Sequence, residues 1–545
     1  MNKREIVFIS VILLLACFLR FWKLGEVPTG VTHDEMGYIY NAYSIAKTGK
    51  NVFGESFPFL TWMVSRGFPF LPVPIYFAAP VFWILPLSAM SGRLLPAILG
   101  LSDVFLIYIL VKQLFKHTNL ALLSSLFLAI SPWHLHFSRS AYDTNYSLFF
   151  FLLGIAIFLY EVKKKRLPVF STLSFLLAIF SYRGMNVLFP PLAVSLLLYS
   201  IFALKIAKRQ IVAFVIGALC VASILLVVIG IYGKPYIAEA NIFASPKMTE
   251  DIDTQIREAQ GPLGIRRLYL NKAMYIANTL RENYIRGYSP EFLFLYTEPS
   301  KIYAIWSRGR IYFLDFIFIV LGIIYLYKLE KRSALFVTAL LLIGGLPGML
   351  GGFPYSARNL FMAAIFPVFV AGGVLYLYYL FRSRLRLVIA ACIFLSYLYV
   401  FGGYIFDYYG RYALYSSEAW VKSLREVSNL VDERKPNFDR VVVGTTSFGD
   451  FVQYAFYAKV SPLRVQKAWQ ERKETSSGPT FLVDNIEFQQ GCLTKDQNPL
   501  TYQSLESILY IVHEDCHKDA TASAVIRDYQ RNTVWKIYEI HRRTP

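Results

Sequence analysis

Residues 68–88 read FPFLPVPIYFAAPVFWILPLS. The run is long and apolar enough to cross a bilayer, which takes roughly 17–25 residues. It also carries Pro69, Pro72, Pro74, Pro80 and Pro86. Each proline removes a backbone N–H and kinks a helix, which argues against a regular span. The basic clusters decide the matter. They lie at Lys3/Arg4, Lys112/Lys116, 163–166, Lys205/Lys208/Arg209, Lys328/Lys331/Arg332 and Arg382/Arg384/Arg386. About eleven other apolar runs have spanning length, near 6–22, 94–111, 119–137, 145–161, 168–184, 187–204, 211–232, 311–327, 333–350, 359–381 and 387–403. With eleven spans and a cytoplasmic N-terminus, every basic cluster falls on the cytoplasmic side, where Lys and Arg gather. A twelfth span at 68–88 would send all the later clusters outward. The stretch is therefore expected to be a broken or re-entrant helix on the outer side, buried against protein.

The composition agrees. Of 545 residues, 56% are hydrophobic and 17% charged, and the mean hydropathy is +0.44. Soluble domains run near 45–50% apolar and about 25% charged, so a soluble enzyme and a disordered chain are both excluded. The net charge of +19 reads as a topology signal and not as a nucleic-acid partner. Cys17, Cys220 and Cys392 lie in apolar runs and read as small core residues. Cys492 and Cys516 lie in a polar tail, where a disulfide is open to them if the tail is extracytoplasmic. Lys3/Arg4 followed by Leu14-Leu15-Ala16-Cys17 has features of a cleaved signal, but the apolar run continues through 18–22 and is read as a retained span.

The expected fold is thus a polytopic α-helical membrane protein of the cytoplasmic membrane, with outer-face juxtamembrane helices and a small C-terminal α/β or α+β extracytoplasmic domain. The membrane domain is drawn at 1–403, with outer loops 23–92 and 233–310, and the tail at 404–545. In the tail, 439–444 and 507–512 read as strands, and 418–431 and 451–458 as helices.

The outer loops hold the residues that could carry chemistry. Thr32-His33-Asp34-Glu35 follows the first span, and 36–46 behind it has apolar residues near helical spacing, as in a helix lying on the membrane surface. Asp34 and Glu35 could take a proton from a hydroxyl, or with His33 hold a divalent cation. They could equally cap the helix. The next outer turn contains His134, His136, Arg139, Tyr142 and Asp143. Arg139 and Asp143 are four apart, which fits a helical ion pair or a site with Asp143 opposite Asp34. Arg93, Arg183 and Arg358 each stand at an outer end of a span, against the inside bias. Singly such residues snorkel to headgroups. Together they suit a lipid phosphate, because guanidinium pairs with phosphate bidentately. Glu291 in the second loop reads as part of a turn.

No Walker, Rossmann, HExxH or nucleophile-elbow motif is present. An enzyme acting outside has no access to cytosolic nucleotide sugars, so its donor would arrive on a lipid. Here the chain resembles the GT-C glycosyltransferases, within them the protein O-mannosyltransferase and aminoarabinose-transferase-like group, glycosyltransferase family 39. The resemblance runs through Asp34-Glu35, Ser91-Gly-Arg93-Leu-Leu-Pro96, Ser131-Pro-Trp133, Arg139 to Asp143, Tyr288-Ser-Pro-Glu-Phe-Leu-Phe and Arg358 to Pro367, and covers roughly 1–403. It implies inverting transfer of a hexosyl or pentosyl group from a polyprenyl-phosphate-linked donor to an acceptor protein, lipid or glycan. Asp34 would be the base, Glu35 its support or a metal ligand, and Asp143 a second acidic residue. Arg93, Arg139 and Arg358, with Arg183 and Tyr142 beside them, would face the donor phosphate. Metal use varies in the family, so a divalent ion stays open and none is assigned. One element departs: Arg66 and Pro69 stand where some relatives carry a lysine-proline pair. A secondary transporter and a non-catalytic envelope-assembly protein are the competing classes. Transporters keep ionisable residues near the midplane, whereas these cluster at span ends.

Overall fold

The computed structural model describes residues 2–62, 69–232, 246–295, 298, 300–305, 308–351, 355–445, 448–475, 478–492, 506–516 and 521–541. Arg66 lies outside the described residues. The chain forms two compact units. One comprises Met1–Trp22, Ala97–Ser138 and Asp143–Ile405, and the other Lys23–Pro96, Arg139–Tyr142 and Phe406–Pro545.

The first unit is helical. Among the described residues, seven helices are long and apolar enough to cross a membrane: Ala89–Phe115, Asp143–Lys163, Met185–Leu204, Lys208–Tyr232, Lys331–Leu350, Leu360–Leu380 and Arg384–Tyr415. The pair Thr118–Ala129 and Pro132–Ser138, bent by 60°, makes an eighth if counted as one span. The bend falls at Pro132, whose ring disfavours helical geometry in the residue before it. The remaining apolar runs are helical too, but differ from the expected spans in length or charge. Lys3–Phe21 carries Lys3, Arg4, Glu5 and Arg20, while Val169–Ile179 and Asp315–Leu329 have only 11 and 15 residues. Each of these shorter elements would need local bilayer thinning or snorkelling flanks to cross. The architecture is that of a polytopic membrane protein. Helices Asp315–Leu329 and Leu360–Leu380 meet backbone to backbone: a Cβ on Gly322 would lie 1.8 Å from the Phe369 carbonyl oxygen. Small residues permit such approaches where lipid supplies no hydrophobic drive.

The second unit is α/β. Strands β1 (Thr61–Trp62) and β2 (Pro69–Phe70) form a short antiparallel pair. In the tail, β3 (Arg440–Thr445), β4 (Lys473–Thr475), β5 (Gly478–Val483), β6 (Ile486–Gln490), β7 (Ile508–His513), β8 (Ala524–Arg527) and β9 (Thr533–Ile540) make a sheet of order β4-β5-β6-β3-β7-β9-β8. Strand β3 runs parallel to β6 and β7, and all other pairings are antiparallel. The central β3 carries Val441, Val442 and Val443, all buried, as expected for a strand covered on both faces. Helices Lys422–Arg434, Phe448–Tyr457 and Pro462–Gln470 contribute Val427, Val431, Phe451 and Val465 to one face of the core. Cys492 and Cys516 form a disulfide.

Loop 23–92 joins this core. Met36, Tyr38, Ile39, Tyr40, Ala42 and Ile45 of helix His33–Thr48 are buried in the same cluster as the sheet. The division drawn at 403/404 thus separates segments that fold together. The periodicity read as a membrane-surface face is a protein-facing one, with Tyr40 donating to the Val460 carbonyl at 2.8 Å. After β2, the proline-rich run gives the short helices Pro72–Ala78 and Val81–Ile84, broken at Pro80.

Candidate active site

Thr32 is the N-cap of helix His33–Thr48, its hydroxyl oxygen accepting from the Glu35 N–H at 3.2 Å. The Tyr142 hydroxyl lies 3.2 Å from the same oxygen. His33, Asp34 and Glu35 fill the first turn, where backbone N–H groups and the helix dipole favour carboxylates. Successive residues on a helix point about 100° apart, and the acidic pair divides accordingly. Asp34 is exposed, whereas Glu35 is fully buried.

Glu35 meets Arg93 bidentately, Oε1 with Nε and Oε2 with Nη2, each at 2.7 Å. Its Oε1 also accepts from the Ala141 N–H at 2.9 Å. Arg93 is equally buried. Its Nη1 donates to the carbonyls of Pro28 (2.8 Å) and Leu24 (3.4 Å), and its Nη2 to that of Gly30 (2.5 Å). Arg139 Nη2 donates to the carbonyls of Lys23 (3.2 Å) and Val27 (3.0 Å). The stretch 23–31 has neither helix nor strand to satisfy its carbonyls, and buried carbonyls need partners. Two guanidiniums, each with five donors, supply them. The guanidiniums in turn lie over aromatic rings: Arg93 over Trp420 at 5.4 Å, and Arg139 over Tyr408 and Tyr409 at 5.6 and 5.2 Å. Gly30 is required by close approach, since a Cβ there would sit 1.9 Å from the Trp420 carbonyl oxygen.

Arg93, Arg139 and Glu35 therefore have a setting other than an open phosphate or metal site. Each is enclosed, with its polar atoms directed at protein. With both Glu35 oxygens on Arg93, His33, Asp34 and Glu35 do not fit as a set of metal ligands. Among the described residues no three His, Cys, Asp or Glu side chains gather as one. Asp143 begins helix Asp143–Lys163 and is half-buried at its positive end. Arg139 precedes that helix, so the i, i+4 pairing is not one between two helical residues. Arg183 is half-buried in the turn before Met185–Tyr199. Arg358 is half-buried with its guanidinium over the Tyr355 ring at 5.4 Å.

Two buried polar groups escape the sequence reading. Arg20 Nη2 lies 2.8 Å from His134 Nδ1, and His134 Nε2 lies 3.2 Å from Asp103 Oδ2. Arginine only donates, so His134 is neutral with its proton on Nε2. His136 instead meets the Ile302 carbonyl at 2.8 Å, so the two histidines have separate partners. Arg20 and Asp103 were legible as ionisable residues inside apolar runs. Glu298 accepts from Arg310 at 2.8 Å and from the Ser356 N–H at 3.0 Å. Burial holds Glu298 above the usual carboxylate range, with Arg310 opposing. No spacing rule marks that pair.

Residues 10–181 match the family model described as dolichyl-phosphate-mannose-protein mannosyltransferase. No curated protein matches the sequence. Among solved structures, ArnT from Cupriavidus metallidurans bound to undecaprenyl phosphate is 11% identical with a TM-score of 0.53, covering 98% of this chain and 97% of that one. The oligosaccharyltransferase of Archaeoglobus fulgidus with an acceptor peptide is 13% identical, with a TM-score of 0.49 over 84% of this chain. This chain spans 63% of that protein's length. The S. cerevisiae protein O-mannosyltransferase complex bound to the sugar donor is 16% identical, with a TM-score of 0.32, over 43% of this chain and 34% of that one. The family match lies in the N-terminal third, and the fold over nearly the whole chain is similar to that of ArnT.

Proposed function

We propose that this protein is a GT-C glycosyltransferase that moves a sugar from a polyprenyl-phosphate-linked donor to an acceptor nucleophile at the extracytoplasmic face of the cytoplasmic membrane, with inversion, and that Asp34 is its base. One observation carries the reading. Asp34 stands exposed in a helix first turn whose next residue, Glu35, is locked bidentately to buried Arg93. A carboxylate so held is pre-oriented, which is where much of a catalytic advantage arises.

In the proposed reaction the acceptor O–H gives its proton to Asp34 as its oxygen attacks the anomeric carbon. The bond from that carbon to the phosphate oxygen breaks on the opposite face, and polyprenyl phosphate leaves with its electron pair. Arg358 and Arg183 are the half-buried guanidiniums we assign to the developing phosphate charge. Asp143 is assigned as the second acidic residue. Glu35, Arg93, Arg139 and Tyr142 are assigned to positioning, since their polar atoms already serve the protein. An N-terminus in the cytoplasm and eleven crossings are the topology that keeps the basic clusters inside. The Cys492–Cys516 disulfide supports an oxidising setting for the tail.

The test is transfer from mannosyl and glucosyl polyprenyl phosphates to peptide, lipid and glycan acceptors, using purified protein. Asp34→Asn should lower turnover by about 10²–10⁴ while the protein stays folded. Full turnover in that variant, or no transfer by the wild type from either donor, would sink the proposal.

A further inference from the structure

One face of one tail helix meets the residues just before Asp34. In Phe448–Tyr457, residues 450, 453 and 457 share a face at i, i+3 and i+7. The opposite side is fixed to the sheet, with Phe451 stacked on Phe481 of β5 at 5.1 Å and Tyr454 against Phe488 of β6 at 4.9 Å. The other face meets Val31 and His33, close before Asp34. The Tyr457 hydroxyl accepts from the Val31 N–H at 3.2 Å, and Gln453 Nε2 donates to the Val31 carbonyl. Both backbone polar groups of Val31, a completely buried residue, are thus held by the tail. Asp450 Oδ1 lies 3.4 Å from His33 Nε2, with Asp450 itself buried. Thr29 adds a fourth link, donating to the Ala413 carbonyl at 3.0 Å.

A second set of tail contacts grips the far end of helix His33–Thr48. Gln466 Nε2 donates to Ser44 Oγ (3.1 Å), Thr48 Oγ1 (3.0 Å) and the Asn51 carbonyl (3.1 Å). These bonds are as buried and as numerous as those on Val31, but they lie three turns from Asp34. A domain that merely sat beside the loop would need either set. Only the first bears on residues 31–33.

We infer that Asp450, Gln453 and Tyr457 are positioning residues of the transfer reaction: the C-terminal domain is a working part of the catalytic apparatus that sets where the Asp34 carboxylate points. The inference rests on the proposed role of Asp34 and adds the tail to it. None of the three side chains need touch donor or acceptor. Their action runs through the Val31 peptide and the His33 ring to the helix turn that begins with Asp34. Because a displacement near 1 Å costs about 10²-fold in a well-oriented reaction, loss of the grip should be felt in turnover and not in donor binding.

The test measures kcat and KM for mannosyl polyprenyl phosphate, per folded protein, in Gln453→Leu/Tyr457→Phe, Tyr457→Phe, Asp450→Asn, Gln466→Leu and Asp34→Asn. The double variant should lose on the order of 10–100-fold in kcat, with KM within about 2-fold of wild type. If it does not fold, the two isosteric single variants are read in its place, and each should lose about 3-fold or more. Gln466→Leu should lower the unfolding temperature and leave kcat unchanged. Wild-type kcat in folded Tyr457→Phe and Asp450→Asn, or an equal fall in Gln466→Leu, would overturn the inference while loss in Asp34→Asn left the base assignment standing. Full turnover in Asp34→Asn would overturn both.

Discussion

Glu35→Gln keeps the size of the side chain and removes its charge. Arg93 then carries a full positive charge with no exposed surface and no counter-ion, and the new amide turns a donor toward either Arg93 or the Ala141 N–H. Removing one partner of a buried ion pair costs about 3–5 kcal/mol, because the other is left uncompensated. For a unit of 150–250 residues each kcal/mol moves the midpoint by about 2–4 °C, so the unfolding temperature should fall by roughly 6–20 °C. The assay is thermal unfolding of purified protein in detergent at one scan rate, for Glu35→Gln, Glu35→Leu, Arg93→Met and the combination of Glu35→Leu with Arg93→Met. The combined variant has no stranded charge, so it should be less destabilised than the two single losses added, by about 2 kcal/mol or more. It should not return to wild type, because the carbonyls of Leu24, Pro28 and Gly30 lose their donor. A Glu35→Gln protein within about 1 kcal/mol of wild type, or strict additivity, would refute the claim that this pair locks the helix turn.

Gly30→Ala would drive a methyl into the Trp420 carbonyl and should cost about 1–3 kcal/mol, with a shifted tryptophan emission as the direct readout. Reducing the Cys492–Cys516 bond frees a loop of 24 residues' separation and should cost the tail about 3 kcal/mol in urea unfolding. Burial pushes the Tyr457 hydroxyl up from its ordinary 10.0 to about 12. The unfolded chain therefore loses this proton first, and stability should fall as pH rises from 10 to about 12; in Tyr457→Phe that part of the alkaline loss should be absent.

The membrane part was legible because lipid imposes one rule on every span, a long apolar helix, and each apolar run read from the sequence does lie on a helix. What composition cannot give is where a helix stops: Asp315–Leu329 ends against Glu330, and Val169–Ile179 is shorter than its apolar run. Strands β3 and β7 each lie one residue beyond the expected 439–444 and 507–512, since continuous valine and isoleucine runs mark doubly covered strands. The partner of helix His33–Thr48 was not legible. Amphipathic spacing says that a face is covered, not by what, and Tyr40 covers the tail as well as it would cover lipid. Asp34 and Glu35 stood out as an acidic pair. That one would be exposed and the other clamped depended on Arg93, 58 residues away, a separation no local pattern spans. The pairing of Asp103 with His134 was not legible for the same reason: it lies with Arg20, which reaches them only once three helices have packed.

The second unit is discontinuous in the chain, built from 23–96 and 406–545 with the turn 139–142 between. At ribosomal speeds the roughly 300 residues separating its halves take about 15–60 s to make. The clamp of Arg93 on 23–30 needs only the early half and is free to close at once. Val31, Met36 and Tyr40 must wait for the sheet, so the acidic turn is completed only after the second half of the unit has been made. On the proposed role of Asp34, a chain halted before 406–541 is made would carry that carboxylate without the Val31 and His33 contacts that hold its turn.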